Sequence, residues 1–410
     1  MSTVVHDDMF TPDVIADPYG YYGRLRDEDP VHWNDTYGLW VITRHDDVTW
    51  LTRHHELFSS AVFENDPRPA YPAIDESDLG LYEYVRHYQG DQFIQHDRPE
   101  HLDMRRIVHG YFTPKSMESW RPFVVNAVKE LLDAAEEKGS MDVMRDLATP
   151  LPVLVIAQMM GVPAEDRPYV RELAEKLLYI GRGEHDRMPI LTDGMRGMLE
   201  YVSPLVDERI VRPGDDFISV LASGEKKGVF SRHQVLVNTS LLLLAGHETT
   251  INLLCNGTLA FIQHPDQWAL FKTLFKKDPG GAAKWATEEC LRYDAPVKSI
   301  QRLASQDLEM RDKVMRKDDR VRWFISSANR DPNVFAEPDK FDITRQPNPH
   351  VAFGNGVHHC LGATLARVEG QEVFKALAER FPNLEVANET LEYQPSITFR
   401  SLKSLPVIWQ

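Results

Sequence analysis

The segment from Ser231 to Ile262 constrains this chain more than any other. Its residues are apolar nearly all round a 3.6-residue period, so a helix here must run through a core instead of lying on a surface. Ser231-Arg232-His233-Gln234 fits a capping box, in which the serine hydroxyl accepts from the backbone N–H three residues on. His264-Pro265 ends the helix, because proline removes a donor and disfavours helical geometry at the residue before it. About 32 residues at 1.5 Å each give roughly 48 Å, more than the width of a small domain. One continuous helix of that length needs a large fold built around it.

The middle of that helix reads Ala245-Gly246-His247-Glu248-Thr249-Thr250. Glycine there costs about 1 kcal/mol against alanine, and a buried Glu or Thr has to find partners. Two readings follow. One is a satisfied polar patch in a long core helix. The other is a ligand pressed against Gly246, with Glu248 and Thr249 handling protons beside it. Leu242, Leu243 and Ala245 would then line a pocket, although leucines at helical spacing also serve as plain core.

Around this helix the chain has 410 residues, and 46 basic against 62 acidic side chains leave a net charge of −16. That balance argues against nucleic acid or an anionic membrane as the main partner. Three cysteines, Cys255, Cys290 and Cys360, are too few for a disulfide scaffold and suit a reducing cytosol. The N-terminus lacks the order of a signal peptide, and no apolar stretch near the ~20 residues of a bilayer span is evident. A cytoplasmic protein is expected.

Strand patterns sit near the ends. Val31–Trp33 and Trp40–Thr43 flank Asn34-Asp35-Thr36-Tyr37-Gly38 as a hairpin, Val321–Ser326 forms a second β patch, and Ile397–Trp409 alternates. Between them, Arg98-Pro99 and Thr113-Pro114 bracket a short helix, and Ala164-Glu165-Asp166 opens another. The pattern is mainly α with small β sheets, an α+β chain forming a single domain over residues 1–410. Glu64–Gly90 is Pro- and Tyr-rich without a clear period, and long loops of this kind are commonly lids. Tyr71, Ile74, Leu81, Tyr82 and Tyr84 give it apolar surface to bury.

Phe353-Gly354-Asn355-Gly356-Val357-His358-His359-Cys360-Leu361-Gly362 precedes a helical pattern from Ala363 to Phe381. Two glycines let the backbone fold tightly around a small object. Cys360 falls at a helix start, where free N–H groups and the dipole favour an anion and lower a thiol pKa. Several chemistries compete for it: an inert buried thiol, a zinc site with His358 and His359, a Cys–His nucleophile, or an axial thiolate on haem iron. Adjacent ligands cannot easily converge on one zinc, and no protease signature surrounds the cysteine.

Phe353-Gly354-x-Gly356-x-His358-x-Cys360-x-Gly362 resembles the haem-binding signature of the cytochrome P450 monooxygenases, with every fixed position filled. Ala245-Gly246-His247-Glu248-Thr249-Thr250 is similar to that family's oxygen-activating motif. Glu289-Cys290-Leu291-Arg292 resembles its Glu-x-x-Arg pair, and Arg330 in Ala328-Asn329-Arg330-Asp331-Pro332 its third charged partner. His101-x-x-x-Arg105 and Arg302-x-Ala304-x-x-Asp307 look like haem-propionate contacts. These segments fall in family order over residues 98–410. At i, i+3 and i, i+4 the Glu289–Arg292 and His101–Arg105 pairs each share a helix face.

The resemblance implies a P450 fold, with the long central helix over a buried haem. It implies haem b held by the Cys360 thiolate, with His101, Arg105, Ala245, Gly246, Arg302, Phe353, Gly354, His358 and Gly362 binding it. It also implies O2 as co-substrate, Thr249 hydrogen-bonding dioxygen, and Glu248 relaying protons from solvent. Glu289, Arg292 and Arg330 would be structural. By family topology the pocket draws on Tyr82, Leu178, Leu242, Val297, Ile300, Ile397 and Thr398, suiting a hydrophobic small molecule. Electrons would come from a separate ferredoxin and its reductase, so NAD(P)H acts only indirectly. Arg105, Arg106 and Arg367 are candidates for docking an acidic ferredoxin. No fused reductase and no membrane partner are implied, and a monomer is expected. A peroxide-driven enzyme, a non-catalytic haem sensor and a helical protein without haem are the rival readings. Two departures from the family pattern are Arg316-Lys317-Asp318-Asp319, which lacks a turn glycine, and Lys298, an unusual neighbour for haem that can recognise a polar substrate group or snorkel outward.

Overall fold

The computed structural model describes residues 7–66, 78–177, 187–387 and 390–409. Contacts divide the chain into two compact units, one of Met1–Phe58, Met117–Leu151 and Thr249–Gln410, the other of Ser59–Ser116 and Pro152–Glu248. The fold is mainly helical with small sheets, as the sequence pattern predicts.

In the first unit, β1 (Val31–Asn34) and β2 (Leu39–Ile42) form the expected antiparallel hairpin, Val31 opposite Ile42 and Asn34 opposite Leu39. Gly38 takes φ +59°, and the Asn34 Oδ1 accepts from the Tyr37 N–H at 3.0 Å. β2 runs parallel to β8 (Arg320–Phe324), which pairs antiparallel with β5 (Ser299–Ala304). With β3 (Phe58–Ser59) at the far edge, the sheet order is β1-β2-β8-β5-β3. β8 is buried along its whole length, and Val31, Ile42, Leu51, Val321 and Trp323 share one core. The turn into β8 does without glycine because Asp318 takes the left-handed conformation, φ +68°, which aspartate tolerates better than most side chains.

Two expectations for strands are trimmed. The β patch ends at Phe324, and Ile325–Ala328 turns helical. Of the last segment only Pro406–Trp409 (β10) is strand, between β4 (Ser140–Asp142) and β9 (Leu384–Val386). Upstream of it the backbone changes partner every few residues. Arg400 N–H donates to Pro296 O at 3.0 Å and Lys403 N–H to Glu392 O at 2.8 Å, so no ladder can propagate.

The central helix also differs from expectation. The capping box is present: the Ser231 hydroxyl accepts from the Gln234 N–H, and the Gln234 side chain accepts from the Ser231 N–H. The helix ends at Ala245, however, and a second runs from His247 to Gln263, with Gly246 between them at φ −81°, ψ −12°. The break falls on a glycine, a residue type of low helical preference, although Gly257 further on stays within the second helix. From Thr249 onward the second helix packs closely in its unit. A Cβ on Gly257 would strike the Phe374 ring and lie 3.1 Å from Cys290 Sγ, and one on Gly370 would lie 3.3 Å from Leu253 Cδ2.

The second unit is helical. Leu79–Gly90, predicted as part of a lid loop, is a helix that buries Tyr82, Val85 and Tyr88, a spacing of three that the surrounding Pro- and Tyr-rich sequence obscures. Val85, Tyr88, Leu191, Met195 and Val237 form its core cluster. Tyr71, Ile74 and Leu178 lie outside the described residues. The expected helices appear at Glu100–His109 and, after the turn Ala164–Asp166, at Arg167–Leu177. One stretch, Val143–Met160, is long and apolar enough to cross a membrane by length and composition, contrary to the sequence reading, but 61% of it is buried inside the fold.

Among the described residues of the first unit, a densely bonded pair sits on helix Pro279–Tyr293. Glu289 and Arg292 are both fully buried, and Arg292 Nε and Nη2 each donate to a Glu289 oxygen at 2.8 Å. Arg292 also donates to the carbonyls of Asn329, Pro338 and Lys340. Glu289 accepts in turn from Asp342 N–H at 2.8 Å and Asn348 Nδ2 at 3.1 Å. Arg330 does not join this pair. It donates to Tyr293 O at 2.9 and 2.8 Å and stacks over the Tyr19 ring at 3.4 Å. Arg345, which the sequence reading overlooks, reaches Glu289 at 3.4 Å instead. Arg292→Met strands a buried carboxylate and is expected to cost about 3–5 kcal/mol in urea unfolding. Adding Glu289→Gln should restore part of it, and a single variant as stable as the parent would refute the structural role.

Candidate active site

Cys360 ends a tightly turned loop. Gly354 N–H donates to Val351 O at 2.8 Å, Cys360 N–H to Phe353 O at 2.9 Å, and Gly356–His358 form one 3-10 turn. Gly354 and Gly356 have φ of +67° and +70°, and a Cβ on Gly356 would run into the carbonyl oxygen of Thr52. Both positions therefore need glycine. The loop is tied upstream to the buried Glu289–Arg292 pair: Asn329, whose carbonyl Arg292 holds, accepts from the Val351 N–H through its Oδ1 at 2.8 Å. Gly362 caps helix Ala363–Arg380, which follows the loop. Cys360 is exposed, whereas Cys255 and Cys290 are buried, and burial pushes both of those thiols up.

Phe353 carries the guanidinium of Arg367 over its ring at 4.5 Å. Arg367 is itself held by Glu288, at 2.6 and 2.9 Å, and His350 Nε2 lies 3.0 Å from the same carboxylate. Hydrogen bonds from His350 and Arg367 outweigh burial and hold Glu288 at about 2. Arg367, predicted as a docking cation, thus presents a neutralised charge. Arg302 sits half-buried on β5, its guanidinium 5.5 Å from the centre of the Trp323 ring. His358 is half-buried and His359 exposed.

The two predicted pocket segments of this unit meet. Val297 bridges Phe399, Lys298 N–H donates to Thr398 O at 2.7 Å, and Ser299 Oγ donates to Ile397 O at 2.7 Å. Val297, Ile300, Ile397 and Thr398 therefore fall on neighbouring backbone. In the second unit, Tyr82 and Leu242 are buried, each at 7% exposure. His101 is fully buried with its ring parallel to Phe93, 6.3 Å away, and Arg105 follows one turn later, half-buried. Arg106 is 73% exposed and pairs with Asp103. Polar residues of helix Arg232–Ala245 find partners here: the Asn238 Oδ1 accepts from Phe93 N–H at 2.8 Å, and Ser240 meets the Tyr88 hydroxyl.

At the break in the central helix, Ala245 is exposed and a Cβ on Gly246 would meet nothing within 4 Å. The backbone there has an open face in an otherwise buried helix. Glu248 and Thr249 are half-buried on the first turn of the second helix, while His247 is buried. Desolvation, helped by Arg171, takes His247 down to about 4, so it stays neutral.

Each unit by itself carries features that suit a prosthetic group with a sulfur ligand. In the first, an accessible cysteine sits in a loop whose glycines allow close approach, and Arg302 and His358 can donate to carboxylates. In the second, backbone is bare at Ala245–Gly246, and His101 and Arg105 can donate. The zinc alternative is not supported: among the described residues, the metal-ligating atoms that converge are those of His87, Asp91 and His233, not of His358, His359 and Cys360.

The cysteine loop points to a haem-thiolate protein, and comparison with known proteins agrees. The family model "Cytochrome P450" matches residues 283–401. The biotin biosynthesis cytochrome P450 of Bacillus subtilis (strain 168) is 34% identical over 400 residues, covering 97% of each chain. A steroid C26-monooxygenase of Rhodococcus jostii is 33% identical over 92% of this chain and 79% of its own. The solved structure of the Bacillus subtilis 168 bacillaene polyketide synthase P450, PksS, superposes with a TM-score of 0.86 at 32% identity over 98% of this chain and 99% of that one. The chain belongs to the cytochrome P450 family. It is a haem-thiolate monooxygenase that uses O2.

One feature of the site was not legible in the sequence. Glu369 is on helix Ala363–Arg380, buried to 2% and hydrogen-bonded by Thr250, the neighbour of Thr249. Burial, only partly offset by that bond, raises its carboxyl to about 8, so it is neutral at pH 7. Its folded pKa lies above the unfolded value near 4.3. The stability it contributes is therefore complete below that value and lost as pH rises through about 8. Glu369→Gln should flatten the decline of urea stability between pH 5 and 9, and an unchanged pH profile would show that the carboxyl ionises freely.

Proposed function

We propose that this monooxygenase hydroxylates a C–H bond of a small apolar organic molecule, with electrons from a separate ferredoxin and its reductase. Cys360, the exposed cysteine on the glycine-turned loop, carries the reading. When bound, haem supplies dioxygen activation, which a thiolate ligand promotes by pushing electron density towards O–O cleavage.

The chain's own residues have the remaining work. Cys360 would give the thiolate, with Phe353, Gly354 and Gly362 shaping its loop. His101, Arg105, Arg302 and His358 would bind the propionates, as guanidinium and imidazole donors suit carboxylates. Ala245 and Gly246 leave space for dioxygen. The Thr249 hydroxyl donates a hydrogen bond there, and Glu248, half in solvent, returns protons to it. That pair favours electron-driven turnover over peroxide use, because peroxide brings its own oxygen and protons. The relatives' names, a steroid monooxygenase and a polyketide synthase P450, support an apolar carbon skeleton for the substrate. Arg106 is the better docking cation for an acidic ferredoxin: both cations are paired, but Arg106 and its partner Asp103 are exposed, whereas Arg367 and Glu288 are largely covered.

Cys360→Ser should abolish the thiolate-type absorption of the carbon monoxide adduct, and its persistence would refute the ligand assignment. Thr249→Ala should retain that absorption while diverting reducing equivalents from product to hydrogen peroxide, several-fold above the parent. The chemistry is tested by turnover of apolar substrates with NAD(P)H, ferredoxin and reductase, against turnover with peroxide alone. Equal rates would favour a peroxygenase.

A further inference from the structure

Lys298 is 5% exposed, on backbone fixed from both sides: its N–H donates to Thr398 O at 2.7 Å, and its carbonyl accepts from Ser326 N–H at 3.2 Å. Among the described residues its ammonium has no hydrogen bond and no ion pair; the charges around it are Arg400, Asp294 and Arg322. Asp294, the lone acid of the three, is already committed. It accepts from the Tyr19 hydroxyl at 2.6 Å and pairs with Arg400 at 3.3 Å. Arg400 also donates to the carbonyls of Ile15 and Ala16, both at 2.7 Å. Arg322 donates to Ser299 Oγ at 2.9 Å and Thr398 Oγ1 at 3.2 Å. The neighbourhood thus holds three cations against one carboxylate, and Lys298 is the cation with nothing to hold. Desolvation, with Arg400 and Arg322, pushes the ammonium down to about 7 despite the opposing pull of Asp294.

An unpaired buried ammonium is costly, and a methionine would fill the same volume without that cost. What the charge provides is a partner for an anion brought from outside. A single compact ammonium suits one carboxylate better than a multiply charged phosphate, which calls for several converging donors. Lys298 stands between Val297 and Ser299, on the backbone that meets Ile397–Phe399.

Resting on the monooxygenase reading above, we propose that Lys298 is a specificity-determining residue that binds the carboxylate of an apolar monocarboxylic acid substrate. The acid end is anchored at Lys298 and the apolar remainder carries the C–H bond to be oxidised.

The test is an optical titration of the haem-loaded protein with straight-chain and aromatic monocarboxylic acids, each paired with its methyl ester. The parent should bind acids roughly tenfold or more tightly than the esters, the scale of a charge-assisted hydrogen bond. Lys298→Met should erase that preference while keeping ester affinity and the thiolate-type spectrum, and Lys298→Arg should keep part of it. The proposal is overturned if no acid beats its ester in the parent, if the preference survives in Lys298→Met, or if Lys298→Met no longer holds haem. The esters report on the apolar pocket independently, so failure of the acid preference alone leaves the monooxygenase reading intact.

Discussion

A single buried ion pair organises the approach to the cysteine. Glu289 and Arg292 lie one turn apart on a helix, and neither touches water. Between them they hold backbone or side-chain groups of Asn329, Pro338, Lys340, Asp342, Arg345 and Asn348. All of these belong to the irregular stretch that leads into the Cys360 loop. A long segment without regular structure has no ladder to satisfy its polar groups, so each carbonyl and N–H needs another partner. The guanidinium fork and the carboxylate supply several at once. Buried pairs of this kind add little net stability over apolar replacements, yet removing one partner is severe. Specification of one loop path is what this pair contributes, and the position of the sulfur depends on that path.

On the proposed reading, the other half of the chemistry rests with a helix that is not allowed to finish. The run from Arg232 to Gln263 is long and apolar enough to be continuous, but Gly246 interrupts it. The interruption leaves the backbone at Ala245–Gly246 uncovered and brings Glu248 and Thr249 onto a first turn, where side chains of intermediate burial are tolerated. Behind them, Thr250 bonds the neutral Glu369. Local helical weakness and polar side chains thus coincide at one point, where a functional site is expected to break the rules that the rest of the fold obeys.

Much of this was legible from residues alone, and the parts that were not share a cause. The capping box at Ser231, the hairpin around Gly38 and the glycine loop before Cys360 are local signals, set by steric rules over a few residues, and the structure has them as written. The helix Leu79–Gly90 was missed because its period rests on three aromatic and aliphatic positions embedded in residues with no pattern. The strand expected over Ile397–Trp409 shrank because pairing partners there are chosen by tertiary contacts. Arg345 and Glu369 escaped notice for the same reason: each matters through a partner 56 or more positions away, in the case of Arg345 and Glu289, or on another helix, in the case of Glu369 and Thr250. Alternation and spacing carry no information about such pairings.

Five buried titratable groups show how this chain handles charge where water is excluded. His247 and Glu369 escape the desolvation penalty by staying neutral at pH 7, one below and one above its ordinary pKa. Glu289 and Arg292 escape it by pairing. Lys298 does neither completely: held near neutrality, it stays about half charged with no partner to settle it. A group poised in this way responds to whatever arrives beside it. An incoming carboxylate would favour the charged form and be favoured by it, so binding and protonation are coupled. A neutral ligand forgoes that gain. Preference for the acid then comes from a charge-assisted bond that only an anion can make, a stronger discriminator than the fit of one more methylene in an apolar wall.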